Sequence, residues 1–327
     1  MPFNWAILGL GKIARKFAED LARIPEAHLY AVGSRSLERA QAFADDFGAP
    51  HAAGSYSGTL TTPGIDAVYI ATPHTSHKEL TLMCLERGLP VLCEKPLGLN
   101  LAEVEEMVAA ARASGTYLME ALWSCFTPAT RKAKELVEAG TIGRIESLRA
   151  DFGFRGLGEN APQRLVDPAL GGGALLDIGI YPIWLSQYFL GPPAEITATA
   201  RLTERGVDSD IQVTLRHADG RLSHCYATLL GRTRTEALLL GTEADLHFHP
   251  RFHEPTNLSV LRGKADPPEN FYFPEESNGY RYEAEAVMAD VRAGRRESGV
   301  WPLESSVALH RTLTRVRELV GVRYPGE

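Results

Sequence analysis

The chain has 327 residues, 44% of them hydrophobic and 23% charged, a balance that excludes a disordered or low-complexity protein and suffices for two globular domains with separate cores. Lys plus Arg number 34 against 41 Asp plus Glu, and the net charge of −7 excludes broad nucleic-acid binding, so any phosphate site must be local. Cys84, Cys93, Cys125 and Cys225 show no CxxC or metal-type spacing, which excludes a thiolate metal centre and reads as reduced, apolar packing in a reducing compartment.

The chain starts MPFNWAILGLG, with no basic residue before its apolar run, and no uninterrupted apolar stretch approaches the ~20 residues of a membrane span. A cytoplasmic protein outside any membrane is expected. The first predicted strand, WAILGL, runs into Gly9-Leu10-Gly11-Lys12-Ile13-Ala14. This is the GxGxxA form of the dinucleotide fingerprint, in which small residues let the backbone approach a pyrophosphate at a helix N-terminus. The helix KIARKFAEDLARI follows, then the strand HLYAVG, which ends in Ser34 and Arg35 with no Asp or Glu at its tip. An acid there would hold the ribose hydroxyls of NAD; Ser34 and Arg35, with Arg39 one turn on, suit a 2′-phosphate, so NADP is favoured over NAD.

The strand DAVYIA ends in Thr72-Pro73-His74-Thr75-Ser76-His77, and Thr75 or Ser76 is a cap for the next helix. PVLCEK delivers Glu94, Lys95 and Pro96 to the same carboxyl edge, where ligands of open α/β sheets collect. With YLMEAL as a further strand and helices over LERAQAFADDF, HKELTLMCLERG and LAEVEEMVAAARASG, the repeated strand and helix units predict a doubly wound domain over residues 1–122.

From about residue 144 the runs alternate: GRIESLRADFGF, AEITATARL, IQVTLRH, RLSHCYATLL, EALLLG and ADLHFH. Asp219-Gly220 and Gly241-Thr242-Glu243 supply tight connections, so residues 123–327 predict an α+β domain with a large, mostly antiparallel open sheet. Helices cover one face of such a sheet, and the other suits a homodimer or higher homo-oligomer. Residues 262–278 read as an irregular loop, and residues 302–321 as a closing helix whose packing partner the pattern leaves open. Within LGGGALLDIGIYP, Asp177 and Tyr181 stand four apart, neighbours on one helical face inside an apolar run. His247, His249 and His253 lack a fourth ligand or metal spacing, and no metal is expected.

GLGKIA, TPHTSH, CEKPLG, MEALWSCF and LGGGALLDIGIYP, in this order, resemble the glucose-fructose oxidoreductase, inositol dehydrogenase and MocA superfamily. The segments SNGYRYEAEAVMADV to VGVRYP resemble its dimeric dihydrodiol dehydrogenase branch, also described as an NADP-dependent D-xylose dehydrogenase. The resemblance spans nearly the whole chain. It implies that Lys95 lies beside the nicotinamide and that the helix after the glycines carries the acid/base group. Many members have histidine where this chain has Tyr181, and the commoner pattern has asparagine where it has His74. The resemblance extends the cofactor set from the fingerprint residues to Thr72, Pro73, His74, His77, Glu94, Pro96, Glu120, Trp123 and Arg164.

Hydride transfer from a carbinol carbon needs a group that takes the hydroxyl proton, and Tyr181 is the candidate. A free phenol titrates near ~10; an ammonium about 4 Å away, at an effective dielectric of about 20, contributes roughly 4 kcal/mol and brings it close to neutrality. Lys95 is the expected source of that field. Asp177 would bind a second substrate hydroxyl or orient Lys95. Trp123, Phe126, Phe152 and Phe154 would line the substrate space. The expected function is an NADP-dependent oxidoreductase acting on a vicinal diol or aldose. The alternatives are a tightly bound-cofactor sugar oxidoreductase or redox-assisted glycosidase of the same superfamily, and a non-catalytic dinucleotide or sugar sensor.

Overall fold

Strands β1 (Phe3–Leu8), β4 (Ala67–Ile70), β5 (Val91–Glu94) and β6 (Leu118–Ala121) are apolar at almost every position and buried along nearly their whole lengths, as a sheet covered by helices on both faces requires. The computed structural model describes residues 2–263, 266–274 and 277–327. One unit comprises Met1–Phe126 with Glu276–Val307, and the other Thr127–Glu275 with Ala308–Glu327.

In the first unit the remaining early elements are α1 (Lys12–Leu21), β2 (Ala27–Gly33), α2 (Leu37–Phe47), β3 (His51–Ala53), α3 (Tyr56–Thr59), α4 (His77–Leu85) and α5 (Leu101–Ser114). The sheet is parallel throughout in the order β3-β2-β1-β4-β5-β6. The order reverses between β1 and β4, so the carboxyl ends of those two strands form the crevice where such sheets bind ligands. The short edge strand β3 carries no readable alternation and is absent from the sequence pattern. Ser76 stands at the N-cap of α4, but its hydroxyl makes no capping bond.

The second unit starts with α6 (Pro128–Glu138), capped by the Thr127 hydroxyl. Strand β7 (Ile145–Gly153) follows, then α7 (Gln163–Val166) and a π-helical turn, Leu175–Gly179, that runs directly into α8 (Ile180–Leu190). Strands β8 (Pro193–Leu202), β9 (Asp208–His217), β10 (Leu222–Thr228), β11 (Ala237–Gly241), β12 (Asp245–Phe248), β13 (Leu258–Leu261) and β14 (Glu269–Phe271) complete an eight-stranded sheet in the order β14-β13-β12-β11-β7-β10-β9-β8. Only the β7–β10 pairing is parallel among the described residues. The mixed α/β class and the mostly antiparallel open sheet agree with the sequence reading.

Other expectations are corrected. Residues 262–278 include β14, and residues 264, 265, 275 and 276 lie outside those described. The outer face of the sheet mixes polar and apolar side chains: Arg149, Asp151, His224, Tyr226, Glu236 and His247, together with Leu238 and Leu261, line a concavity of about 470 Å³. Pro168–Leu190 does meet the length and composition of a membrane span, but 89% of its apolar window is buried inside the protein, the environment of a core helix.

A boundary at residue 122 assigns everything later to the second domain, whereas residues 276–307 return to the first unit. The physical cause is a set of polar ties that no local pattern announces. The first is at α9 (Tyr280–Arg292), whose N-cap Gly279 has no side chain; the Asp20 carboxylate of α1 accepts instead from Asn278 N (2.9 Å) and Arg281 N (3.1 Å). Tyr117 donates to Asp290 at 3.1 Å, and Trp301 Nε1 donates to Glu120 at 3.3 Å. The closing helix, α10 (Leu303–Val320), is divided: its first turn is counted with the first unit and its remainder with the second.

Candidate active site

At the carboxyl edge of the first sheet, Gly9, Ser34, Thr72 and Lys95 each stand one or two residues beyond a strand. Gly9 follows β1 with φ +89°, and a Cβ there would lie 2.8 Å from the Ala71 carbonyl carbon and oxygen and 2.7 Å from Thr72 Cγ2. Glycine is therefore what lets the β1 and β4 ends close on each other. Gly11 caps α1 without a side-chain bond, and a Cβ placed on it meets nothing within 4 Å. The first-turn N–H groups of α1 are left to an outside acceptor, Lys12 and Ile13 are exposed, and Ala14 is fully buried against the sheet. Beside Gly9, the Thr72 hydroxyl is buried with no hydrogen-bond partner among the described residues. These features fit a dinucleotide pyrophosphate on the helix dipole.

At the tip of β2, Ser34 accepts from Ser36 N at 3.3 Å. Arg35 and Arg39 are exposed, and neither forms an ion pair among the described residues. Glu94 accepts from the Tyr69 hydroxyl and from Lys95 N (3.2 Å), and burial pushes its carboxyl up to about 7 although the Lys95 ammonium opposes the shift. Lys95 itself is half-buried.

Several residues assigned to the cofactor also hold parts of the protein together. His77 is fully buried, with Nδ1 2.8 Å from the Pro96 carbonyl and Nε2 3.0 Å from the Thr72 carbonyl. Both ring nitrogens are engaged, so His77 braces the loops that carry Thr72 and Lys95; burial lowers its pKa. Glu120 is fully buried and accepts from Leu97 N at 2.9 Å as well as from Trp301. The Trp123 ring stacks on Tyr280 at 4.5 Å, and Phe126 is 2% exposed, so both are core side chains of the first unit. His74 opens a short 3₁₀ turn with its ring 5.7 Å from that of His77, while Pro73 is exposed.

In the second unit the three glycines release a chain that has to pass other backbone. Gly173, at φ +121°, leaves no room for a Cβ beside the Asp208 carboxylate. That closeness has a purpose: Asp208 accepts from Leu175 N at 2.6 Å, so a fully buried carboxylate from β9 caps the π turn and α8. Burial pushes Asp208 up to about 6 against the opposing pull of those N–H groups. Asp177 lies in the π turn, whose i→i+5 bonding is wider than the α spacing expected, and Arg164 holds it at 2.6 Å. Arg164 is thus an ion-pair partner of Asp177, with its own side chain 55% exposed.

Tyr181 stands in the first turn of α8 and is 5% exposed. Its ring lies 5.9 Å from Phe152 and 4.9 Å from His253; Phe152 stacks on His253 at 4.1 Å and stands 6.3 Å from Phe154. Phe152 and Phe154, unlike Trp123 and Phe126, are only half-buried. The sequence reading missed His253 and Asp208. Neither carries a local signal: Asp208 stands in GVDSDI and His253 in PRFHEPT. The described residues contain no cluster of three or more metal-ligating side chains.

Residues 3–122 match an oxidoreductase family with an NAD-binding Rossmann fold, and residues 130–247 match the GFO/IDH/MocA C-terminal domain. A trans-1,2-dihydrobenzene-1,2-diol dehydrogenase of Mus musculus is 37% identical over 334 residues, covering 99% of each chain. Among solved structures, KijD10, a 3-ketoreductase from Actinomadura kijaniata in complex with NADP and TDP-benzene, aligns with TM-score 0.85 and 27% identity over 98% of each chain. An aldose-aldose oxidoreductase from Caulobacter crescentus complexed with glycerol aligns with TM-score 0.87 and 25% identity, again over 98% of each.

Proposed function

Since this chain belongs to the GFO/IDH/MocA oxidoreductase family, we propose that it is an NADP-dependent dehydrogenase or reductase acting on a carbinol carbon of a vicinal diol or an aldose. The observation that carries this reading is the switch point of the parallel sheet, where the N-terminus of α1 has no side-chain cap beside Gly9 and Lys95 follows β5 at the same edge. Bound there, the coenzyme supplies the nicotinamide that accepts or donates the hydride. The first-turn N–H groups of α1 hold the pyrophosphate, and Arg35 and Arg39 pair with the 2′-phosphate.

Lys95 donates a hydrogen bond to the substrate oxygen and favours negative charge on it. In the oxidative direction Tyr181 takes the hydroxyl proton while the carbonyl forms, and in the reductive direction it returns that proton. Asp177, paired with Arg164, offers an acceptor for a second hydroxyl, which favours a diol or polyol over a simple alcohol. The relatives support both substrate classes by name: a dihydrodiol dehydrogenase on one side, sugar oxidoreductases on the other.

The test is Tyr181→Phe assayed with a panel of aldoses and trans-dihydrodiols and with each of NAD and NADP. Turnover should fall at least about 100-fold, the usual contribution of a general base, while NADP affinity stays near that of the unaltered protein. Undiminished turnover would remove Tyr181 from the reaction.

A further inference from the structure

The turn Arg251–Glu254 sits between β12 and β13 and is unusually well secured. Arg251 has φ +67°, a conformation non-glycine residues seldom adopt, and it is held there by backbone bonds from Arg251 N (2.8 Å) and Phe252 N (3.2 Å) to the Thr235 carbonyl. Thr235 N in turn donates to Asp151 of β7 at 2.9 Å. The Arg251 guanidinium makes a two-point pair with Glu254. Hydrogen bonds from His253 and Arg251 hold that carboxyl at about 2 despite its burial. A non-glycine residue in a left-handed conformation persists only where its surroundings over-determine it.

What this turn presents is His253, 4% exposed, with Nε2 3.4 Å from Glu254 and its ring against both Phe152 and Tyr181. The order Glu254, His253, Tyr181 puts a fixed carboxylate behind an imidazole and the imidazole against the candidate base. A carboxylate in that position fixes which nitrogen carries a proton and how the ring is turned. Charged groups on the elements that carry the pair include Arg251 and Glu254 in the same turn, Asp151 on β7 bonded to Thr235 N, and Asp177 with Arg164 just before Tyr181.

We propose that His253, oriented by Glu254, is a positioning residue for Tyr181: it holds one side of the phenol ring and sets the pH at which Tyr181 releases its proton. The proposal rests on the reading of Tyr181 as the acid/base group. His253 touches both groups: its Nε2 is 3.4 Å from the Glu254 carboxylate and its ring lies 4.9 Å from that of Tyr181. Removing the imidazole takes a polar neighbour from Tyr181 and leaves the Glu254 charge without that partner, so the phenol proton is held more tightly.

The experiment uses the full chain without coenzyme and follows phenolate ultraviolet absorbance against pH. Tyr181 is isolated by subtracting the titration of the same protein carrying Tyr181→Phe. His253→Phe keeps a ring on Phe152 and removes the imidazole; His253→Gln keeps a polar group and serves should the first variant fold poorly. Both should move the Tyr181 midpoint up by about one pH unit and carry the alkaline rise of kcat with it, while the thermal midpoint changes little. An unmoved Tyr181 midpoint in a folded His253 variant overturns the proposal. Should Tyr181→Phe alone retain turnover, the catalytic reading of Tyr181 falls first, a result distinct from failure of the His253 shift.

Discussion

Gly9, Ser34, Thr72 and Lys95 in the first unit each stand one or two residues past a strand end, so strand order alone brings them to one edge. Tyr181 in the second unit depends on partners far away in the chain: Asp208 of β9 caps its helix, and His253, in the turn after β12, lies against its ring. The contrast teaches that a parallel sheet turns sequence order directly into site geometry, because every strand points its carboxyl end the same way. A mixed sheet does not, and each side chain needs its own tertiary support. The same device recurs in both units where a helix start lacks a local cap: Asp20 serves α9, and Asp208 serves the turn before α8.

The sharpest way to break the strand-order account is Gly9→Ala. The added Cβ meets the Ala71 backbone at a φ of +89°, so a loss of about 2–4 kcal/mol is expected, with coenzyme binding lost as well; urea unfolding and NADP titration measure both. Wild-type stability would mean that the approach of β1 to β4 is loose.

The tertiary account of the second unit is tested at Asp208. Its folded pKa, about 6, lies above the ordinary value of 3.8, so the folded protein binds the proton more tightly than the unfolded chain. Its contribution is therefore most favourable below pH 4 and is lost as pH rises through about 6, by up to about 3 kcal/mol. Asp208→Asn keeps an acceptor for Leu175 N and removes the charge. Its stability should be flatter than that of the wild type between pH 4 and 7, and parallel curves would show that the carboxyl does not titrate there.

Arg35→Ala is the smallest and most selective change. Arg35 is exposed and makes no ion pair among the described residues, so folding should be unaffected, while NADP affinity falls about tenfold and NAD affinity stays constant in binding titrations. Equal losses for both coenzymes would refute the phosphate assignment.

Much of the first unit was legible because its signals are local. GLGKIA is a turn whose glycines answer a backbone requirement at those positions, and CEKP ends a strand that hydrophobicity alone identifies. The legibility failed where a residue's role depends on a distant partner. His77, Glu120 and Trp123 occupy motif positions, and their contacts with Pro96, Trp301 and Tyr280 respectively could not be read from the motif. His253 carried no motif at all.

The sequence by itself determined the parallel sheet, the dinucleotide turn, the antiparallel second sheet and the helix that bears Asp177 and Tyr181, since each follows from periodicity, turn chemistry or spacing within one short segment. Only the tertiary structure decided that residues 276–307 return to the first unit, that a π turn precedes Tyr181, and that a buried aspartate and an anchored histidine attend that helix. The reason is physical: a buried polar group is stable only with its partner, and the partner's place in the chain leaves no trace in the local pattern.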